Sequence, residues 1–334
     1  MEFMDSELLE LFRKVLEMDS TSGQEAGLAR YLYQELDAPQ KELLEVGDGS
    51  LNLLLKWSDK PKVVYCTHLD TVPPYIPPRF EEDGSVWGRG SCDAKGQLIS
   101  LLGACRALER MGRRDFALLL LSGEETGSFG AKAFSGYLGA PLLVIGEPTD
   151  NTPIKATKGT LSYSLQFSGK ACHSGYPEYG DSAIERWMDF MIELEMENNW
   201  SRDKVLGETT WNVGMLSSMN AKNVLSPSLS CQLYFRSTFA SHEKVKAWME
   251  KKNSSTLSVT FMGGDPPREY YVPEGFKGKV AAFGSDAPHL HGFEKKIICG
   301  PGSILDAHTQ DEKILLEDIE IAIKNNIVFY ESCN

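Results

Sequence analysis

Several short stretches of this chain are continuously apolar and end in a glycine, a histidine or an acid. They are KVVYCTHLD (62–70), FALLLLSGEE (116–125), PLLVIGEP (141–148) and KKIICGPG (295–302). Strands of that kind are buried on both faces, so they call for a sheet covered by helices. LNLLLKW (51–57) reads as a further strand, and KVAAFGS (279–285) as a return of buried-strand character. The intervening segments have helical spacing. Residues 7–36 read as helical with a break near 20–23, the second half starting after an N-cap-like Ser22. Residues 97–111 place Leu98, Leu101, Leu102, Cys105 and Leu108 on one face, and a last helix is expected over about 311–330. The fold class is therefore α/β, with helices on both faces of a mixed sheet.

The pattern changes near residue 158. TLSYSLQFSG (160–169) alternates like a half-exposed strand, a helix follows at about 181–198, and WNVGML (211–216) and SLSCQLYFRST (228–238) read as strands. A helix at 241–252 and STLSVTFMG (255–263) complete a β-α-β-β-α-β order, that of a ferredoxin-like α+β unit. The expected organisation is a large domain over 1–157 and 266–334, interrupted by a small one over 158–265.

With 334 residues the chain is long enough for two modest domains. Its 34 basic and 47 acidic residues leave a net charge of -13, and no Lys/Arg cluster of the kind a nucleic-acid surface needs is apparent. No apolar run reaches the length of a membrane span, and the acidic start does not read as a secretory signal. Seven scattered Cys without a CxxC pair read as reduced thiols of a cytoplasmic protein.

Ligand-type residues gather at the ends of the buried strands, where open α/β sheets form their sites. His68 and Asp70 close one strand, two residues apart and so on one face. Asp93 lies in the glycine-rich turn WGRGSCDAKGQ. Glu124 and Glu125 follow FALLLLSG, where adjacent like charges call for a cation or a shared proton. Glu147 ends the next strand, and His308 lies in GPGSILDAHTQDE before the last helix. Singly, each has a plainer reading: a loop pair, a helix cap for Asp93, a solvated turn, a turn acid, a surface histidine. Together, two His and five carboxylates suit zinc, cobalt or manganese.

CTHLDTVPP, WGRGSCDAKG, LSGEETGSFGAK, VIGEPT, KACHSGYPEYGDSAIE and GPGSILDAHTQDE run in order through nearly the whole chain. As a set they resemble the M20 family of zinc-dependent metallopeptidases and deacylases, with acetylornithine deacetylases the nearest branch. The resemblance implies a zinc-exopeptidase-like catalytic domain and an inserted lid that mediates homodimerisation. It implies two Zn²⁺, for which Co²⁺ or Mn²⁺ can substitute: His68, Asp93 and Glu147 on one, with Asp93 bridging to a second held by Glu125 and His308. It also implies Glu124 as general base, Asp70 orienting His68, and His173 in the lid stabilising an oxyanion. Asn223, Arg236, Ser285 and Asp286 match family positions near the substrate.

The implied substrate is a small N-acyl amino acid, N-acetylornithine of arginine biosynthesis first. Acetyllysine, carrier-bound lysine, succinylornithine, acetylcitrulline, succinyl-diaminopimelate and dipeptides remain open. The lid is short for the acetylornithine branch, and Cys66 and Thr67 depart from the family's pattern before the histidine; Cys66 reads as core. His289 and His291 look like a metal pair but fall outside the family's ligand motifs.

Overall fold

The computed structural model describes residues 3–134, 139–197 and 200–333. Two units emerge, Met1–Lys155 with Tyr270–Lys279 and Ser285–Asn334, and Ala156–Glu269 with Val280–Gly284. The chain opens with α1 (Ser6–Glu17) and α2 (Ala26–Glu35). Asp5 caps α1 by accepting the Leu8 amide, and the helix buries Leu8, Leu11, Phe12, Val15 and Leu16 at helical spacing. Glu25, not Ser22, stands at the N-cap of α2, so the Ser22 side chain is free for another task.

Next comes a hairpin, β1 (Gln40–Gly47) and β2 (Ser50–Lys56), of which only the second strand is evident from apolar content. Asp48 and Gly49 both adopt positive φ, 49° and 81°, the combination a tight hairpin turn requires. Then follow β3 (Val63–His68), β4 (Arg79–Phe80), β5 (Ser85–Trp87), α3 (Lys95–Arg110), β6 (Phe116–Leu121), α4 (Phe129–Ala133) and β7 (Leu142–Ile145). Beyond them lie β8 (Ile154–Thr157), β9 (Gly159–Ser168), α5 (Ala183–Met196), β10 (Thr210–Ser217), β11 (Ser228–Ser237), α6 (His242–Glu250), β12 (Leu257–Gly263), β13 (Arg268–Glu269) and β14 (Lys279–Ala281). The chain finishes with β15 (Lys295–Ile298), β16 (Lys313–Leu315) and α7 (Leu316–Glu331).

The first unit is built on a six-stranded sheet of order β1-β2-β6-β3-β7-β15. Strands β6, β3, β7 and β15 are mutually parallel, and the β1–β2 hairpin joins antiparallel through β2. Leu53, Leu55, Tyr65, Phe116, Leu118 and Val144 project to one face, into a core shared with Phe12 of α1, Leu32 of α2, Leu98 of α3 and Phe329 of α7. Their neighbours Leu54, Val64, Cys66, Leu119 and Ile145 are buried as well. Burial on both faces is why these strands carry no polar alternation. The last helix starts later than its periodicity suggests, because residues 313–315 pair with β5 as a strand.

The second unit is an antiparallel sheet of order β10-β11-β9-β12 with α5 and α6, which is the ferredoxin-like order. Strand β9 alternates buried residues with half-buried or exposed ones along its whole length. Its core holds Leu161, Tyr163, Leu165, Phe167, Phe190 and Trp248. KVAAFGS does not return to the main sheet: only residues 279–281 form a strand, in the short sheet β13-β8-β14, and Val280 is exposed.

Candidate metal centre

Parallel strands place their C-terminal ends at one edge of the sheet, and the ligand-type side chains emerge there. His68 is the last residue of β3, Glu124 and Glu125 follow β6, and Glu147 follows β7. Asp93 comes from the turn before α3 and His308 from the loop after β15. The six converge. His68 Nε2 lies 3.0 Å from Asp93 Oδ1, His308 Nε2 3.3 Å from Asp93 Oδ2, and His308 Nε2 2.8 Å from Glu125 Oε1. Three sets of ligand atoms lie within 4.8 Å of one another: His68–Asp93–Glu147, Asp93–Glu125–His308 and His68–Glu124–Glu125. Asp93 belongs to two of them, with a different imidazole at each oxygen.

The turn carrying Asp93 needs its glycines. Gly88 sits at φ 127°, and a Cβ on Gly96 would lie 2.3 Å from the Ser91 carbonyl oxygen. Asp93 is not the helix cap its spacing suggests: Ala94 occupies the N-cap of α3 without a side-chain cap bond, which leaves the Asp93 carboxylate for the cluster. Gln97 Nε2 donates to the carbonyls of Cys92 and Pro301, 2.8 Å each, tying this turn to the loop that leads to His308. His308 itself adopts φ 64°, a region few non-glycine residues use.

Asp70 does more than orient His68. His68 Nδ1 lies 2.9 Å from the Asp70 backbone carbonyl and 3.5 Å from its carboxylate. With Nδ1–H donating to that carbonyl, Nε2 is the nitrogen turned to the cluster and the one that would give its lone pair to a bound cation. The Asp70 carboxylate accepts the amides of Glu124 (3.0 Å) and Glu125 (3.3 Å) and the Ser22 hydroxyl (2.8 Å). Burial pushes Asp70 up, but these bonds and His68 outweigh it and hold the carboxyl below its usual range. Ser22 is thus a site-supporting residue that sequence reading took for a helix cap. Asp70→Asn would turn an NH₂ toward these donors. Activity or metal affinity should fall about 10–100-fold, read from steady-state kinetics and metal content. Unaltered kinetics and metal content would remove Asp70 from the positioning network.

The cluster is an excess of acid. Burial, with Asp93 and Glu124 nearby, pushes Glu147 well above the usual carboxylate range. Burial does the same to Glu124, where His68 opposes and Asp286, Glu125 and Asp93 add. Hydrogen bonds to Asp93 and Glu125 push His308 up to about 10. Burial opposes ionisation of Asp93, yet the bonds from His308 and His68 hold it well below its usual value. Crowded carboxylates facing two imidazole nitrogens, with no thiol in any of the three sets, are a donor set that fits two divalent cations of the zinc, cobalt or manganese kind.

The other expected residues are placed as follows. Asp286 is buried within electrostatic reach of Glu124 and His68, pushed up to about 6 mainly by burial, and its Oδ1 has no hydrogen-bond partner among the described residues. Ser285 is buried beside it and accepts the Ala287 amide. In the second unit, His173 forms a backbone bridge with Val224 and the Ser174 amide donates to the Asn223 carbonyl, which brings His173 and Asn223 together. His173 Nδ1 accepts the Gly175 amide at 3.0 Å. Arg236 lies on β11 opposite Thr160 and Thr210, its guanidinium 4.9 Å from the Tyr234 ring centre. Cys66 is buried, and burial pushes its thiol up. His289 and His291 are in none of the three sets of candidate ligands among the described residues.

A mixed α/β sheet with a His/carboxylate cluster at its parallel strand ends is the build of a metal-dependent hydrolase. The chain belongs to peptidase family M20/M25/M40, whose family model matches residues 64–326. A peptidase M20 domain-containing protein of Schizosaccharomyces pombe is 31% identical over 93% of this chain and 81% of its own length. A probable carboxypeptidase of Uncinocarpus reesii is 28% identical over 96% of this chain and 85% of its own. In fold the chain is similar to a tripeptidase from Staphylococcus aureus, with a TM-score of 0.78 at 20% identity over 98% of both chains. No helix of the described residues is long and apolar enough to cross a membrane.

Proposed function

We propose that this chain is a two-metal amidohydrolase that releases an amino acid from a small N-acylated or peptidyl substrate. The observation that carries the proposal is the sharing of Asp93 between two ligand sets, each with its own imidazole, while Glu124 stands in a third set beside them. His68, Asp93 and Glu147 would hold one cation, and Asp93, Glu125 and His308 the other. When bound, the cations polarise the scissile carbonyl and lower the pKa of the attacking water.

The chain's own residues supply the rest. Asp70 grips the backbone of Glu124 and sets the direction of its side chain. Glu124 takes the proton of the attacking water and hands it to the leaving nitrogen. A carboxyl raised above its usual range is the stronger base for the first task and still acidic enough for the second. His173 of the second unit is assigned to the developing oxyanion, and Arg236 with Asn223 to the substrate's α-carboxylate, which a guanidinium holds bidentately. Ser285 and Asp286 are assigned to the amino-acid part of the substrate. The second unit is assigned as lid and homodimer surface.

The fungal relatives' name, probable carboxypeptidase, supports cleavage that frees a C-terminal residue. The motif resemblance around His308 supports N-acetylornithine as the acyl amino acid to try first. The deciding experiment is a panel of N-acetyl and N-succinyl amino acids and dipeptides, run on chelated protein with Zn²⁺, Co²⁺ or Mn²⁺ restored. Chelation should abolish turnover and metal restore it. Amidating the substrate carboxylate should cost about 10–100-fold in kcat/KM, as loss of a charge-assisted hydrogen bond does. Failure to cleave any amide with any of the three metals would reject the proposal.

A further inference from the structure

Outside the ligand cluster, the most heavily engaged carboxylate among the described residues is Glu312. It is 1% exposed and belongs to the first unit. Its Oε1 accepts three backbone amides of the glycine-rich turn: Gly90 at 2.9 Å, Cys92 at 3.1 Å and Asp93 at 3.0 Å. Its Oε2 receives the Arg89 guanidinium, itself 1% exposed, and Arg89 Nε reaches the Pro74 carbonyl at 3.2 Å. The Glu312 backbone carbonyl accepts the Gly88 amide at 2.9 Å. The turn from Gly88 to Asp93 is therefore wrapped on one side chain and its own carbonyl.

Two features make this more than a structural ion pair. One of the three amides is that of Asp93, the residue whose two oxygens face His68 and His308. And Glu312 stands only a turn's length beyond His308 in HTQDE, so the same carboxylate ties the Asp93 turn to the His308 loop. Fixing the backbone at Asp93 fixes where its carboxylate can reach, because only two side-chain torsions separate them. Without the Glu312 oxygen, three amides lose their acceptor and the turn has reason to re-fold around another.

We infer that Glu312, with Arg89, is a positioning residue of the metal centre: it holds the Asp93 carboxylate between the two imidazoles, so that both cation sites exist at once. This rests on the two-metal reading given above. Such supporting residues typically govern metal affinity by about 10–100-fold.

The test uses the full chain stripped of metal and titrated with Co²⁺ in equilibrium dialysis, with thermal unfolding of the same metal-free samples followed by circular dichroism. Glu312→Ala is expected to weaken Co²⁺ binding by about 10–100-fold. Glu312→Gln, which keeps one oxygen for the amides but turns a donor toward Arg89, should fall between it and the wild type. A purely structural role would lower the unfolding temperature and leave Co²⁺ affinity of the folded protein unchanged. If Glu312→Ala does not fold, Glu312→Gln decides: weakened Co²⁺ binding supports the inference and wild-type affinity overturns it. A folded Glu312→Ala protein that takes up two Co²⁺ with wild-type affinity overturns this inference alone. A wild-type protein that takes up no Co²⁺ overturns the two-metal reading and this inference with it.

Discussion

Glu124→Gln is expected to lower kcat by about 10²–10⁴-fold while the protein keeps two divalent cations. Gln is nearly isosteric, and its backbone amide can still donate to Asp70, which fixes the position of residue 124 from the main chain. What is lost is the proton shuttle between the attacking water and the leaving nitrogen. The two sets that share Asp93, each with one imidazole and one glutamate, do not include Glu124, so metal content should stay near that of the wild type. Elemental analysis alongside kcat measurement separates the two effects. Turnover within a few-fold of wild type would remove Glu124 as the base, and loss of metal would make it a ligand.

The second large effect concerns stability. Phe116→Ala should cost about 3–5 kcal/mol, the range for emptying an aromatic from a closed core. Phe116 opens β6 with no exposed surface, its ring 4.7 Å from Trp57 and 6.4 Å from Tyr330 by centroid. It therefore joins β6 to α7 and to the residue that follows β2, segments that cannot move together to fill the space. Urea unfolding should show the midpoint fall at an unchanged slope. A loss below about 1 kcal/mol would mean the site collapses freely, contrary to its packing. Because Leu121, not Phe116, lies at the ligand end of β6, kcat of the folded variant should stay near wild type.

Much of the fold is legible in the chain because burial on both faces leaves an unmistakable trace. The runs in β6 and β7 have no polar residue to offer solvent, and in β3 even Thr67 and His68 at its end are buried. The alternation of β9 is equally readable, since one face of its sheet is partly exposed. Strand β1 escaped because QKELLEVG has neither pattern. Its conformation comes from pairing with β2 across Asp48 and Gly49, a D-G signal that could have revealed it. Residues 313–315 read as helix and form a strand for the same reason: their partner β5 is distant in sequence.

The site divides along the same line. Residue type and position at strand ends and in the adjoining loops put His68, Asp93, Glu124, Glu125, Glu147 and His308 forward as a set, although each alone has a plainer reading. What the chain could not disclose is how they are held. Asp70 was read as a partner of the His68 ring, yet its carboxylate chiefly anchors Glu124, Glu125 and Ser22, the last 48 residues away. Arg89 and Glu312 are 223 residues apart and carry no periodicity linking them. Hydrophobic pattern is local, so sequence alone determined the buried strands, the inserted unit's order and the identity of the candidate ligands. Hydrogen bonding to backbone amides is not local. Only the tertiary structure, by closing the Asp93 turn on Glu312 and the Glu124 turn on Asp70, decided which groups face one another.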